Sequence, residues 1–131
     1  MGVVQDLPFN AIKELLADEY YCVIDKSNEE LVGYFCMGKS AQVPAGFPFG
    51  AYPEGFVDIG IGMKPELTGR GNGSIFFSFI LRYIYRNAHS PLRLTVATFN
   101  HRAIHLYEKF GFVSKMKFLN NSIGFITMIK E

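Results

Sequence analysis

The chain has 131 residues, enough for one hydrophobic core and few for two, so a single domain spanning residues 1–131 is expected. Hydrophobic residues make up 49% of it and charged ones 19%, a balance that excludes a disordered, solvating chain. Thirteen Lys and Arg against twelve Asp and Glu leave a net charge of +1, without the dense basic surface that a nucleic-acid partner requires. No apolar run approaches the roughly 18 to 20 residues of a membrane span. Met1 to Asp6 lacks the basic start and apolar stretch of a secretory leader, so a cytoplasmic location without a membrane partner is expected. The two cysteines, Cys22 and Cys36, lie in apolar segments outside any Cys-x-x-Cys or His/Cys cluster and read as buried reduced thiols.

Phe9, Ile12, Leu15 and Leu16 recur at helical spacing, which predicts a short amphipathic helix over Phe9–Glu19. Tyr20–Asp25 and Leu31–Met37 are rich in β-branched and aromatic residues and flank a polar stretch with Ser27 and Asn28, the pattern of a hairpin. Gln42–Gly55 holds Pro, Gly, Phe47, Phe49 and Tyr52 in a composition that breaks helix and strand, so a long loop is expected there. Phe56–Met63 alternates as a strand, with Asp58, Gly60 and Gly62 on one nearly bare face. Beyond Pro65 and a glycine-rich stretch, Ser74–Arg86 turns helical with Ser78, Arg82 and Arg86 as its polar stripe. Leu92–Ala97 reads as a strand, and Asn100 can cap a helix that stops at Gly111. Strands near Phe112–Phe118 and Ile123–Ile129 close the chain around Asn120-Asn121. This order predicts a mixed α/β (α+β) sheet.

The stretch Thr68-Gly69-Arg70-Gly71-Asn72-Gly73-Ser74 carries a strand through glycines into a helix. Residues without side chains let backbone N–H groups converge on an anion, the helix N-terminus adds unsatisfied donors, and Arg70 adds charge. A plain turn is the competing reading. No Lys followed by Ser or Thr heads the helix, as a P-loop needs, and the glycine spacing is wrong for a dinucleotide fingerprint. Thr68 to Gly73 resembles the acetyl-CoA loop of the GNAT N-acetyltransferase superfamily, Gln/Arg-x-x-Gly-x-Gly/Ala, with Thr68 departing from its first position. Asn100-His101-Arg102-Ala103-Ile104-His105-Leu106-Tyr107-Glu108-Lys109-Phe110-Gly111-Phe112 is similar to a second superfamily motif, Asn-x-x-Ala-x-x-Leu/Phe-Tyr-x-Lys/Arg-x-Gly-Phe/Tyr, at every specified position. The segment from Asp58 to Gly73 looks close to a small bacterial branch of that superfamily.

The resemblance implies a GNAT-like acyl-CoA N-acyltransferase fold in one acetyltransferase domain, with acetyl-CoA as co-substrate and no metal. It implies a small-molecule or peptide amine as acceptor. Cofactor contacts fall on Ile61, Gly62 and Met63, on Thr68, Gly69, Arg70, Gly71, Asn72, Gly73 and Ser74, and on Asn100, Ala103 and Tyr107. A neutral amine would attack the thioester directly in a ternary complex, with backbone N–H groups of Ile61–Met63 facing the developing oxyanion. Tyr107 is the expected acid beside the sulfur, against a reading as a core aromatic with a satisfied hydroxyl. Asp58 is the expected base, against a reading as structural partner for a loop N–H or a basic side chain, and Glu54 stands in reserve. His101 and His105 are spaced to hold a metal but have no third ligand, so a solvated helix face is expected. The superfamily usually opens with a strand and two helices. Here nineteen residues precede Tyr20, so a shortened N-terminus is expected, its first strand missing, abbreviated or replaced by a partner chain as in a homodimer. Two other classes stay open: a CoA-binding sensor or interaction module without turnover, and a nucleotide-binding oxidoreductase.

Overall fold

The computed structural model describes residues 9–13, 20–68, 71–86 and 89–131. In chain order the elements are β1 (Phe9–Lys13), β2 (Tyr20–Asp25), β3 (Leu31–Met37), β4 (Val57–Met63), α1 (Asn72–Tyr85), β5 (Leu92–Ala97), α2 (His101–Lys109), β6 (Val113–Asn120) and β7 (Ile123–Lys130). The strands form a seven-stranded sheet in the order β1-β2-β3-β4-β5-β7-β6. The β4–β5 pair is parallel, while β1–β2, β5–β7 and β6–β7 are antiparallel, so the sheet is mixed.

The first expectation to fail is the N-terminal helix. Phe9–Lys13 is a strand, paired antiparallel with β2 from Phe9↔Asp25 to Lys13↔Tyr21. Over five residues the helical and strand periods are barely distinguishable, and the ladder offered by β2 decides between them. Residues 14–19, the rest of that prediction, lie outside the described residues. A strand therefore precedes β2.

Contacts divide the chain into two compact units. The first comprises Met1–Phe35 and Ile61–Ala88. Its core is aromatic: Phe9 meets Phe76 and Phe79 edge-on at 6.4 and 5.7 Å, and Tyr21 stacks on Phe35 at 4.8 Å. The apolar spacing of α1 buries Phe76, Phe77, Ile80, Leu81 and Ile84, while Arg82 and Arg86 face solvent together with Ile75 and Tyr85. Gly33 is required by a close approach, since a Cβ there would stand 2.8 Å from the Phe76 ring as well as against the Gly62 carbonyl.

The second unit comprises Cys36–Gly60 and His89–Glu131. Its centre is β5, bonded to β4 through Val57↔Leu92, Asp58↔Arg93 and Ile59↔Leu94 and to β7 along its whole length. Ile59, Leu92, Leu94, Phe112 and Met128 are buried there with two charged residues, Asp58 and Arg93. The 42–55 segment is less irregular than its composition predicts, because Pro44–Phe49 winds into a 3-10 helix closed by Gly50 at φ 69°. Proline at the first position of that turn costs no hydrogen bond, which is how a proline-rich segment becomes ordered.

Candidate active site

The bare face expected of β4 is filled. A Cβ at Gly62 would lie inside the Tyr34 ring, and one at Gly60 would stand 2.7 Å from the Cys36 sulfur. These glycines therefore let large side chains of β3 lie flat against the β4 backbone. The strand residues Ile61, Gly62 and Met63 are all half-buried.

Beyond β4, Pro65–Leu67 forms a single 3-10 turn, and Thr68 closes it by donating both its N–H and its hydroxyl to the Pro65 carbonyl, at 3.1 and 2.7 Å. A local structural bond thus explains a threonine at the position where the superfamily motif has a long polar side chain. Gly69 and Arg70 lie outside the described residues. Gly71 is the N-cap of α1 at φ 80°, and among the described residues no side chain caps this end. The first-turn N–H groups, including those of Asn72, Gly73 and Ser74, have no acceptor within the helix, and the helix dipole leaves this end electropositive. Among the described residues, a Cβ placed on Gly71 would meet nothing within 4 Å.

On the second unit, α2 is defined at both ends by the residues of the second motif. Asn100 Oδ1 accepts the Ala103 N–H at 3.2 Å, an N-cap. At the other end the Phe112 N–H bonds the Tyr107 carbonyl and the Gly111 N–H bonds the Glu108 carbonyl, with Gly111 at φ 94°. This is a Schellman motif, and its usual apolar contact is made by the Tyr107 and Phe112 rings, 6.3 Å apart. No residue of α2 is fully buried, and Ala103 and Tyr107 are both half-buried one turn apart. Burial pushes the Tyr107 phenol up to about 12. His101 and His105 are both exposed, and among the described residues no three His, Cys, Asp or Glu side chains gather as a metal site.

Asp58 has the geometry of a structural partner for a basic side chain. Arg93 Nε and Nη2 donate to its two oxygens at 2.6 and 2.9 Å, and Gln42 Nε2 adds a third bond at 2.9 Å. Arg93 also donates from Nη1 to the Pro53 carbonyl at 2.9 Å and stacks over the rings of Tyr52 and Phe56 at 5.1 and 4.9 Å. The sequence reading missed Arg93. Its signal was available: each of two apolar strands carries one charged residue, and a buried charge has to be paired. Glu54 is exposed.

The family model described as the acetyltransferase (GNAT) family matches residues 3–112. The chain belongs to that family. Among solved structures, a GNAT-family acetyltransferase from Bacillus anthracis aligns at a TM-score of 0.63 and 18% identity, covering 86% of this chain and 65% of that one. The yncA protein of Salmonella typhimurium, solved with its cofactor acetyl-CoA, gives 0.63 at 17% identity, covering 86% and 64%. A variant of spermidine N-acetyltransferase from Vibrio cholerae gives 0.62 at 22% identity, covering 85% and 62%. The chain thus spans slightly under two thirds of the length of these structures, and it shares their mixed-sheet acyltransferase fold. No curated protein sequence matches it significantly. Among the described residues no helix is long and apolar enough to cross a membrane.

Proposed function

We propose that the protein is a cytoplasmic acetyl-CoA-dependent N-acetyltransferase, a single domain that moves an acetyl group to a primary amine by direct attack in a ternary complex. The observation that carries this reading is the N-terminus of α1, where Gly71 takes the left-handed conformation and, among the described residues, no side chain caps the first-turn N–H groups. That arrangement suits a pyrophosphate, with Gly69, Arg70 and the N–H groups of Asn72, Gly73 and Ser74 as its holders. Thr68 shapes the entry to the loop, and Asn100 and Ala103 present a small-residue helix face to the pantetheine arm.

Acetyl-CoA supplies the activated acetyl thioester. The chain supplies N–H donors at Ile61–Met63 for the oxyanion and the Tyr107 hydroxyl for the leaving sulfur. With its pKa raised to about 12, that phenol holds its proton throughout the physiological range. Asp58, whose carboxylate accepts three hydrogen bonds, serves better as the counter-ion of Arg93 than as a base. Glu54, exposed and next in sequence to the Pro53 carbonyl that Arg93 binds, is the carboxylate that takes the proton of the amine.

One observation favours a second reading, a CoA-binding sensor or interaction module: the expected base is locked in an ion pair. Two measurements separate the readings. Acetyl-CoA at millimolar concentration is expected to raise the melting temperature under both, and Gly71→Glu to abolish the rise by placing a side chain and a negative charge at the anion site. Release of CoA from a panel of amines is expected only of the transferase. An unshifted melting curve rejects both.

A further inference from the structure

The segment Gln42–Phe56 is held at both ends by one buried ion pair. At its start, Gln42 donates to Asp58 Oδ2 at 2.9 Å. At its end, Arg93 donates to the Pro53 carbonyl at 2.9 Å and lies over the Tyr52 and Phe56 rings. Between these points the Tyr52 hydroxyl accepts the Val43 N–H at 2.9 Å and meets Thr95 Oγ1 at 2.8 Å, so the two arms of the segment are tied to each other and to β5. Every nitrogen of the Arg93 guanidinium is thereby engaged.

Such a pair is not the cheapest way to fill a core, because apolar residues of similar volume are often as stabilising as a buried charge pair. What an apolar pair cannot provide is a fixed direction for a polar segment, which the planar fork of arginine does. The segment so fixed carries a distinct surface. Phe47 and Phe49 are 54% and 55% exposed, although the turn that bears them is seated through buried Gly46, where a Cβ would stand 3.0 Å from Phe118. Glu54 is the only charged side chain of the segment, and it too is exposed.

We infer that the Asp58–Arg93 pair is a positioning device that latches Gln42–Phe56 and so presents Phe47, Phe49 and Glu54 as the recognition surface for a primary amine with one positive charge and an apolar, aromatic-sized body. Two aromatic faces complement the body and the ammonium, and one carboxylate complements one charge, whereas a polyamine calls for several. This inference rests on the transferase reading, and its test separates the two.

The test combines amide hydrogen exchange with steady-state kinetics on phenethylamine, ethylamine and spermidine. In Asp58→Leu/Arg93→Met, acetyl-CoA is expected still to raise the melting temperature. The amides of Gln42–Phe56 are expected to exchange about tenfold faster or more, and kcat/KM for phenethylamine to fall about tenfold or more, because the released segment also carries Glu54. Arg93→Lys retains the charge without the fork and is expected to fall between. Phe47→Ser/Phe49→Ser alters only exposed side chains and is expected to raise KM for phenethylamine about tenfold and KM for ethylamine, which has the ammonium without the aromatic body, by less. Unaltered exchange in the double variant overturns the latch, and a preference for spermidine overturns the substrate class. If no amine is turned over, the transferase reading fails by itself. The recognition surface is then judged by whether phenethylamine slows exchange of Gln42–Phe56 in the wild type and not in Phe47→Ser/Phe49→Ser.

Discussion

Tyr107 carries two duties on different atoms. Its ring closes the C-terminal cap of α2 against Phe112, and its hydroxyl is the donor proposed for the leaving sulfur. Tyr107→Phe keeps the first and removes the second, so acetyl-CoA affinity is expected to survive while turnover falls roughly 10²-fold or more. Calorimetric binding alongside a CoA-release assay reads both, and retained turnover assigns the residue to packing alone. Burial gives the residue a signature in alkali. Its folded pKa, raised to about 12, lies above the ordinary phenol value, so the stability contributed by its neutral form is intact below pH 10. That stability is lost as pH rises through 12. Phenolate absorbance should show a late titration step that Tyr107→Phe lacks, and the variant should lose less stability across this interval. Sequence spacing located this tyrosine because the helical period and the motif agree. Asp58 was harder to read, because its partner lies 35 positions along the chain and only the parallel register Asp58↔Arg93 brings the two together.

At the scale of elements, α2 depends on its ends. With no fully buried residue of its own, it gains little from core packing, and its caps weigh correspondingly more. Asn100→Ala is expected to cost about 1 kcal/mol of unfolding free energy. Gly111→Ala, at φ 94° with no atom closer than 3.5 Å to the added Cβ, should cost about 1–2 kcal/mol from conformation alone. Denaturant titration measures both, and a neutral Gly111→Ala would remove the Schellman cap from this account. By contrast Gly62→Ala strikes the Tyr34 ring, so its expected loss is relieved by adding Tyr34→Ala. The hairpin of β2 and β3, strand β5 and the caps of α2 were legible because each is set by local chemistry. β1 was not, since a five-residue segment takes its conformation from the strand beside it. Gly60 and Gly62 were recognised as unusual without their cause, because what fills the space belongs to β3.

For the whole molecule the governing prediction is ligand linkage. At acetyl-CoA a hundredfold above its dissociation constant, stability should rise by about 2.7 kcal/mol, read as an upward shift of the melting curve. Fold class and family were legible from two short motifs, because the elements between them occur in an order that few folds share. The proposed acceptor surface was not legible: a loop composition says that helix and strand are broken, and says nothing of the buried Arg93 that holds Gln42–Phe56 in place. The double cap of α2 has a further consequence for descent. Asn100, Gly111 and Phe112 hold the ends of the helix, whereas the Tyr107 hydroxyl, in the role proposed for it, answers to selection for turnover. A descendant that abandoned catalysis would keep the first three and be free to exchange tyrosine for phenylalanine. On the proposed mechanism, a single oxygen atom would divide working enzymes from silent ones within such a lineage.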